Sequence, residues 1–138
     1  MPLTLEDAQA LIAAAHEHAS ASGWRVTVAV VDEGGSLQAL GRMEGAPTVS
    51  SQIAEAKAVG CAVWLREGDS LQQVQADRPA FFRAVDRLVR LPIMPGLGSV
   101  LIRRKGVVLG AVGVSGAASE QDLECARAGL ARLDMGNG

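Results

Sequence analysis

The chain has 138 residues, of which 49% are hydrophobic and 20% charged, and its formal net charge is -2. This length is enough for one domain with a hydrophobic core and too short for two ordinary domains, so residues 1–138 are expected to form a single domain. Apolar runs are shorter than the roughly 18 residues of a membrane helix, which excludes a membrane span, and the balanced charge argues against a nucleic-acid partner. Residues 1–7 show no secretory signal, so a cytoplasmic protein is expected.

Small side chains must fill the core, because aromatic residues make up only 3% of the chain and tyrosine is absent. Ala, Val, Leu and Gly let helices and sheet approach closely, and the apolar surface that one small core leaves uncovered predicts a homo-oligomer. Cys61 and Cys125 fit neither a disulfide framework nor a CxxC metal motif. Both are therefore expected to be reduced, buried thiols.

The first half of the chain predicts a helix followed by a β-hairpin. Thr4 and Asp7 form a T-x-x-D capping box before apolar residues at helical spacing, which predicts a helix over about 5–22. Residues 24–31 are β-branched and apolar, and a glycine-containing turn separates them from a second strand over 37–43. These two strands are expected to pair.

The second half predicts more helices and a second hairpin. The predicted helices are 49–65, 70–76 and 80–89, and the predicted strands are 100–104 and 107–114. Ser119 and Asp122 repeat the capping-box pattern ahead of a last helix, and the Gly-Asn-Gly tail is expected to fray. This order of elements predicts an α+β sandwich, with antiparallel strand pairs in one sheet and helices packed over it.

His16 and His18 are the only histidines, spaced H-x-H in the first predicted helix. Residues two apart on a helix point about 200° away from each other, so the pair cannot chelate one metal ion. Each can act as a lone ligand at an edge of the helix. The alternative for each is a surface or boundary histidine without a ligand.

Lys57 lies on the apolar stripe of the second helix, between Ile53 and Cys61. A lysine there needs a partner, and the alternatives are a structural ion pair, a side chain extended to solvent, an anchor for a ligand carboxylate, or a desolvated amine that transfers protons. Asp32, at the end of the first strand, is a candidate partner, with another carboxylate or a ligand as alternatives, and it is a second candidate for proton transfer. Its alternative role is to form the turn before Gly34.

Two further segments predict a site for a ligand carboxylate. Arg42 ends the second strand close to the start of the second helix, where an anion can bind, although a solvated arginine is an equal alternative. Residues 110–116 have GxxGxxG spacing without a βαβ unit, and Ser115 is not in a G-x-S-x-G motif, so neither nucleotide binding nor a serine nucleophile follows. The glycines permit close backbone approach, and the amides from Ser119 onward predict an anion site.

Four motifs in order resemble the GlcG/HbpS-like family over almost the whole chain. They are Trp24–Asp32 followed by Gly34-Gly35, Arg42–Ala46, Ile53–Ala58, and Gly110–Gly116 with Asp122. The resemblance implies a profilin-like α+β sandwich with an antiparallel sheet of about five strands, assembled into oligomers. Members of the family are linked to haem binding or haem degradation, occur fused to corrinoid adenosyltransferases, or accompany glycolate-type catabolic operons.

The resemblance also implies site residues. His18 stands where some relatives carry an axial haem ligand, and Lys57, Arg42 and the loop from Gly113 to Gly116, with Ser115, match recurrent family motifs. Where relatives show a glycine triplet followed closely by proline, this chain has Pro95-Gly96-Leu97-Gly98-Ser99. The aromatic side chains available to contact a porphyrin are Trp24, Trp64, Phe81 and Phe82.

Three functional hypotheses result. The first is a haem-binding oligomer, with haem-degrading or haem-sensing roles open, in which His18 ligates iron and Lys57 or Arg42 meets a propionate. The second is an enzyme for a small organic acid, in which Lys57 or Asp32 transfers protons while Arg42 and the Ser115-Gly116 loop hold a carboxylate. The third is a non-catalytic assembly module that buries its apolar faces against copies of itself.

Overall fold

The structure is a computed structural model that describes residues 2–136. Five helices and four strands occur in that range: α1 (Leu5–Ala21), β1 (Thr27–Asp32), β2 (Leu37–Arg42), α2 (Ser50–Trp64), α3 (Gly68–Asp77), α4 (Pro79–Asp86), β3 (Ser99–Arg104), β4 (Val107–Ser115) and α5 (Ser119–Gly136). Each predicted element is present, with boundaries that shift by up to three residues. Part of the Gly-Asn-Gly tail, residues 137 and 138, lies outside the described residues.

The strands form one antiparallel sheet in the order β2-β1-β4-β3. The two predicted hairpins, β1–β2 and β3–β4, meet where β1 pairs with β4. Within the described residues the sheet therefore has four strands, one fewer than the resemblance implied. The long connection between the hairpins forms helices and a Pro/Gly loop, so it supplies no fifth strand.

Helices cover both faces of the sheet. Val28 and Val30 of β1 pack with α1 and α5 on one face, whereas Ala29 and Val31 pack with α2 on the other. Successive side chains of a strand point to opposite faces, so a strand covered on both sides needs an uninterrupted apolar run. The apolar sequence of β1 thus reflects a sheet buried between two helical layers.

Small residues allow the layers to approach closely. A Cβ atom at Gly113 of β4 would overlap the main chain of α2 at Ala54 and Ala58. Cys61 and Cys125 are buried and unbonded, as predicted, and each fills space on a different face of the sheet. The small-residue core predicted from composition is confirmed.

The capping box at the start of α1 is confirmed. The Asp7 main-chain N–H donates to the Thr4 hydroxyl at 3.0 Å, and the Thr4 N–H donates to the Asp7 carboxylate at 3.5 Å. No helix within residues 2–136 is long and apolar enough to cross a membrane.

Side chains bond to the main chain of both edge strands. The His16 ring Nε2 lies 3.0 Å from the carbonyl oxygen of Gly41 in β2, to which it donates. At the opposite edge, the Leu101 N–H of β3 donates to the Glu67 carboxylate at 2.9 Å. An unpaired strand edge is a template for pairing with another chain, so these contacts satisfy groups that would otherwise face solvent.

Candidate functional site

The buried lysine of α2 is fully engaged. Lys57 Nζ donates to the carbonyl oxygen of Val114 at 2.8 Å and to Asp122 Oδ2 at 3.3 Å. The Lys57 and Asp122 side chains are only 9% and 4% exposed. The pair joins α2, β4 and the first turn of α5, and of the roles weighed for Lys57 the geometry matches the structural ion pair.

Asp122 rather than Asp32 is the partner of Lys57, so that prediction was wrong. The Asp32 carboxylate accepts the N–H groups of Gly34 and Ser36, each at 2.9 Å, which is the turn-forming role given as its alternative. These bonds hold Asp32 in the β1–β2 turn, away from the end of β4 where Val114 and Asp122 meet Lys57.

The electrostatics of Asp122 reflect its burial. Desolvation raises the pKa of the Asp122 carboxyl above its usual value, while the Ala117 N–H bond and the Lys57 ammonium lower that pKa in part. The Ala117 N–H donates to Asp122 Oδ1 at 2.9 Å. The capping box predicted for Ser119 and Asp122 is therefore replaced by contacts that tie Asp122 to the preceding loop and to α2.

The loop that departs from the family's pattern covers this pair. Gly98 has φ +113°, and a Cβ atom there would lie 2.9 Å from both Lys57 Nζ and the Val114 carbonyl oxygen. The Gly98 carbonyl oxygen accepts the Val114 N–H at 2.8 Å. Only glycine adopts this conformation readily, and its missing side chain lets the loop close directly over the ammonium.

The predicted glycine-loop residues lie against other parts of the chain. Ser115 is buried and pairs with Thr27 of β1, and a Cβ atom at Gly116 would overlap the main chain at Arg25 and Val26. With Gly113 packed under α2, these positions serve the close backbone approach that the glycines predicted.

Arg42 lies in a different place. Its Nη1 donates to the Ala46 carbonyl oxygen at 3.0 Å, and its side chain lines an open cavity of about 840 Å³ between α1 and the end of β2. His16 and Arg25 line the same cavity. Arg42 is thus grouped with His16 and not with Lys57.

His18 forms a third group, on the surface where α1 meets α5. Its Nε2 lies 2.7 Å from Glu124 Oε2, and the two side chains are 36% and 59% exposed. The ring of Trp24 meets the His18 ring edge-on, with 6.0 Å between centroids. His18 therefore offers a solvent-accessible imidazole beside an aromatic surface.

The other aromatic residues are elsewhere. Trp64 stacks on Phe82 at 5.5 Å and meets Phe81 edge-on at 6.0 Å, beside α3 and α4. Of the four aromatic candidates, Trp24 is the one that the structure brings to His18. Within residues 2–136 there is no group of three metal-binding side chains, so a metal at His18 would need ligands from elsewhere.

Sequence reasoning missed two carboxylates that share one turn of α5. Asp122 points toward Lys57 of α2 and Glu124 toward His18 of α1. The spacing of two residues on a helix predicts opposite directions, but each partner lies more than 60 positions away in the chain. No local pattern identifies such pairs; the sequence signals at Asp122 were the capping-box pattern and the place of Asp122 in a family motif.

Comparison with known proteins identifies the family. Residues 3–131 match the family model described as "Haem degrading protein HbpS-like". The chain belongs to the HbpS-like family. The resemblance drawn from the four sequence motifs is therefore confirmed.

Individual HbpS-like relatives agree with this. Protein GlcG of Escherichia coli K12 is 37% identical over 115 residues, which cover 82% of this chain and 81% of GlcG. The crystal structure of a PduOC:haem complex superposes with a TM-score of 0.86 at 28% identity, covering 96% of this chain and 95% of that one. A double mutant of Streptomyces reticuli HbpS gives 0.84 at 32% identity, covering 95% and 86%.

Proposed function

We propose that this HbpS-like chain binds haem, with His18 as the protein ligand to iron. The observation that carries the proposal is the position of His18, whose imidazole is accessible at the surface beside the ring of Trp24. A neutral imidazole is a common ligand of haem iron, and an aromatic ring can cover part of a porphyrin face. The similarity to a PduOC:haem complex supports haem as the bound molecule.

The residues around His18 fit a porphyrin on the chemistry of their side chains. His18 supplies the nitrogen donor, and Trp24 supplies apolar surface. Arg25 follows Trp24 in the chain and is exposed, so it is the proposed partner of a propionate, whereas Arg42 lies beside His16. Lys57, the other cation predicted for this role, is committed to Asp122 and Val114. Bound haem supplies iron chemistry, and this chain ligates and orients it.

Haemin titration tests the proposal. Wild-type protein is expected to give a saturable Soret shift that His18→Ala abolishes. His16→Ala is the matched control, because it removes the other histidine of the same helix, whose Nε2 is bonded to the main chain of β2. A shift that survives in His18→Ala, or the absence of a saturable shift in wild-type protein, would contradict the proposal.

A second candidate function is binding of a small organic acid in the cavity lined by Arg25 and Arg42. Arg25 and Arg42 line this cavity of about 840 Å³ together with Glu17 and Glu44, and the two exposed guanidinium groups are the proposed partners of a ligand carboxylate. Its test is a thermal-shift screen of small carboxylic acids, in which Arg42→Met should abolish any stabilisation and His18→Ala should not. Stabilisation that persists in Arg42→Met would exclude this cavity as the site.

A further inference from the structure

One ring nitrogen of His18, Nε2, already has a hydrogen-bond partner. Nε2 lies 2.7 Å from Glu124 Oε2, and the proton between them is carried by the ring when the histidine is neutral. The other nitrogen, Nδ1, is bonded to Cγ and is therefore closer to the main chain of α1 than Nε2 is, which makes it the less accessible nitrogen for a wide planar macrocycle. Iron in a porphyrin can approach His18 at Nε2, which is the position that the Glu124 carboxylate occupies.

We propose that Glu124 blocks the iron-binding nitrogen of His18 and must turn away before haem binds. The inference rests on the proposed function and names the regulation of that site. A ligating imidazole offers a lone pair, so Nε2 has to lose its hydrogen-bond partner and its proton. With the Nε2 proton moved through solvent to Nδ1, the Nε2 lone pair would be available to ligate iron.

The contact is suited to such a role because the Glu124 side chain has no other hydrogen-bond or ion-pair partner among residues 2–136. Glu124 is 59% exposed and makes one hydrogen bond, to His18, so its carboxylate can rotate into solvent without breaking any other contact. Exposed ion pairs contribute little free energy, so release of Glu124 should change haem affinity by roughly two- to fivefold. The contact therefore moderates binding and does not prevent it.

The experiment compares haemin affinity and association rate in wild type, Glu124→Ala and Glu120→Ala. Glu120 is an exposed carboxylate of α5, four residues before Glu124, so its removal changes the net charge by the same amount. This control is needed because haem carries two propionates and binds better to any less negative surface. Measurements are made by Soret titration and stopped-flow mixing.

Glu124→Ala is expected to bind haemin roughly two- to fivefold more tightly than Glu120→Ala, with a faster association rate. The double variant His18→Ala/Glu124→Ala should lose the Soret shift. Affinity in Glu124→Ala that equals or falls below that of Glu120→Ala overturns the inference, and a lower value would mean that the carboxylate orients the ring.

These outcomes are separable from failure of haem binding itself. If His18→Ala abolishes the wild-type shift while Glu124→Ala matches Glu120→Ala, haem binding stands and the blocking role of Glu124 is rejected. If neither wild type nor Glu124→Ala shows a saturable shift, the proposed function is rejected and the inference with it. Binding by Glu124→Ala alone would support both and make the block stronger than proposed.

Discussion

Lys57→Met is expected to destabilise the fold strongly, because it leaves the Asp122 carboxylate buried without its partner cation. Methionine matches the lysine stem in length and removes the ammonium, which donates at 2.8 Å to Val114 and at 3.3 Å to Asp122. Removing one partner of a buried ion pair typically costs about 3–5 kcal/mol, since the other charge is left without compensation. The sequence alone allowed a modest effect, but an Asp122 side chain that is 4% exposed excludes it.

A second substitution should recover part of the loss. Asn at position 122 keeps an oxygen to accept the Ala117 N–H, now at 2.9 Å from Asp122, and carries no charge. Lys57→Met/Asp122→Asn should therefore be more stable than Lys57→Met by at least about 1 kcal/mol, because no uncompensated charge remains. For a chain of this length, a loss of 3 kcal/mol corresponds to a decrease of about 10 °C in Tm.

Urea unfolding followed by the fluorescence of Trp24 and Trp64 measures these differences at one fixed protein concentration, because the stability of the expected oligomer would depend on concentration. A pH series adds a second readout. The pKa of Asp122 is raised in the folded state, and Lys57→Met removes two of the interactions that lower it. A raised folded-state pKa gives stability that is present below the unfolded pKa and is lost as pH rises through the folded value.

Lys57→Met should consequently lose stability as the pH rises above about 4. Lys57→Met/Asp122→Asn should not show this pH-dependent loss of stability, because residue 122 then carries no ionisable group. A cost below about 1 kcal/mol for Lys57→Met would refute the role of the pair in holding α2 to α5. So would a double variant whose cost equals the sum of those of Lys57→Met and Asp122→Asn, because independent sites add in this way.

Three further expectations concern packing and assembly. Burial raises the thiol pKa to about 12 for Cys61 and about 11 for Cys125, so a thiol reagent at pH 8 should label neither cysteine in the folded protein and both after denaturation. Fewer than two labelled groups per chain in denaturant would indicate a disulfide. Gly113→Ala should lower the free energy of unfolding in urea by about 1–3 kcal/mol, since its Cβ would overlap the main chain of α2 at Ala54 and Ala58. An unchanged free energy of unfolding would mean that α2 can shift to make room. Light scattering coupled to size exclusion should show an oligomer, and a species of about 14 kDa at micromolar concentration would contradict the composition argument.

The fold was largely predictable because its signals are local. The spacing of apolar residues in α1, the capping residues Thr4 and Asp7, and the glycine turn after β1 each depend on near neighbours in the chain. The strand count implied by the family resemblance was less accurate than the two hairpins that the residues themselves predicted. The largest boundary shifts, of three residues, are at the start of β1 and at the end of α4, and the second of these borders a Pro/Gly segment that carries no periodicity.

The sequence could predict which residues of the candidate site matter, but not which of them contact each other. Lys57 was singled out correctly as a buried cation in need of a partner, but Asp122 lies 65 positions away and no periodic pattern connects the two. The same holds for His18 and Glu124, which are 106 positions apart. A single sequence shows what a residue requires, whereas the partner depends on how the layers pack.

The turn of α5 that holds Asp122 and Glu124 constrains how this fold can vary in length. Asp122 and Glu124 bind partners in different helical layers, so both contacts depend on a separation of two residues. One residue inserted or deleted between them would rotate the following helix by about 100° and shift it along its axis by about 1.5 Å, which removes one of the two partners. Insertions should therefore be tolerated in the β1–β2 turn and excluded from this turn of α5, and a chimera that exchanges α5 should cut the chain before Ala117.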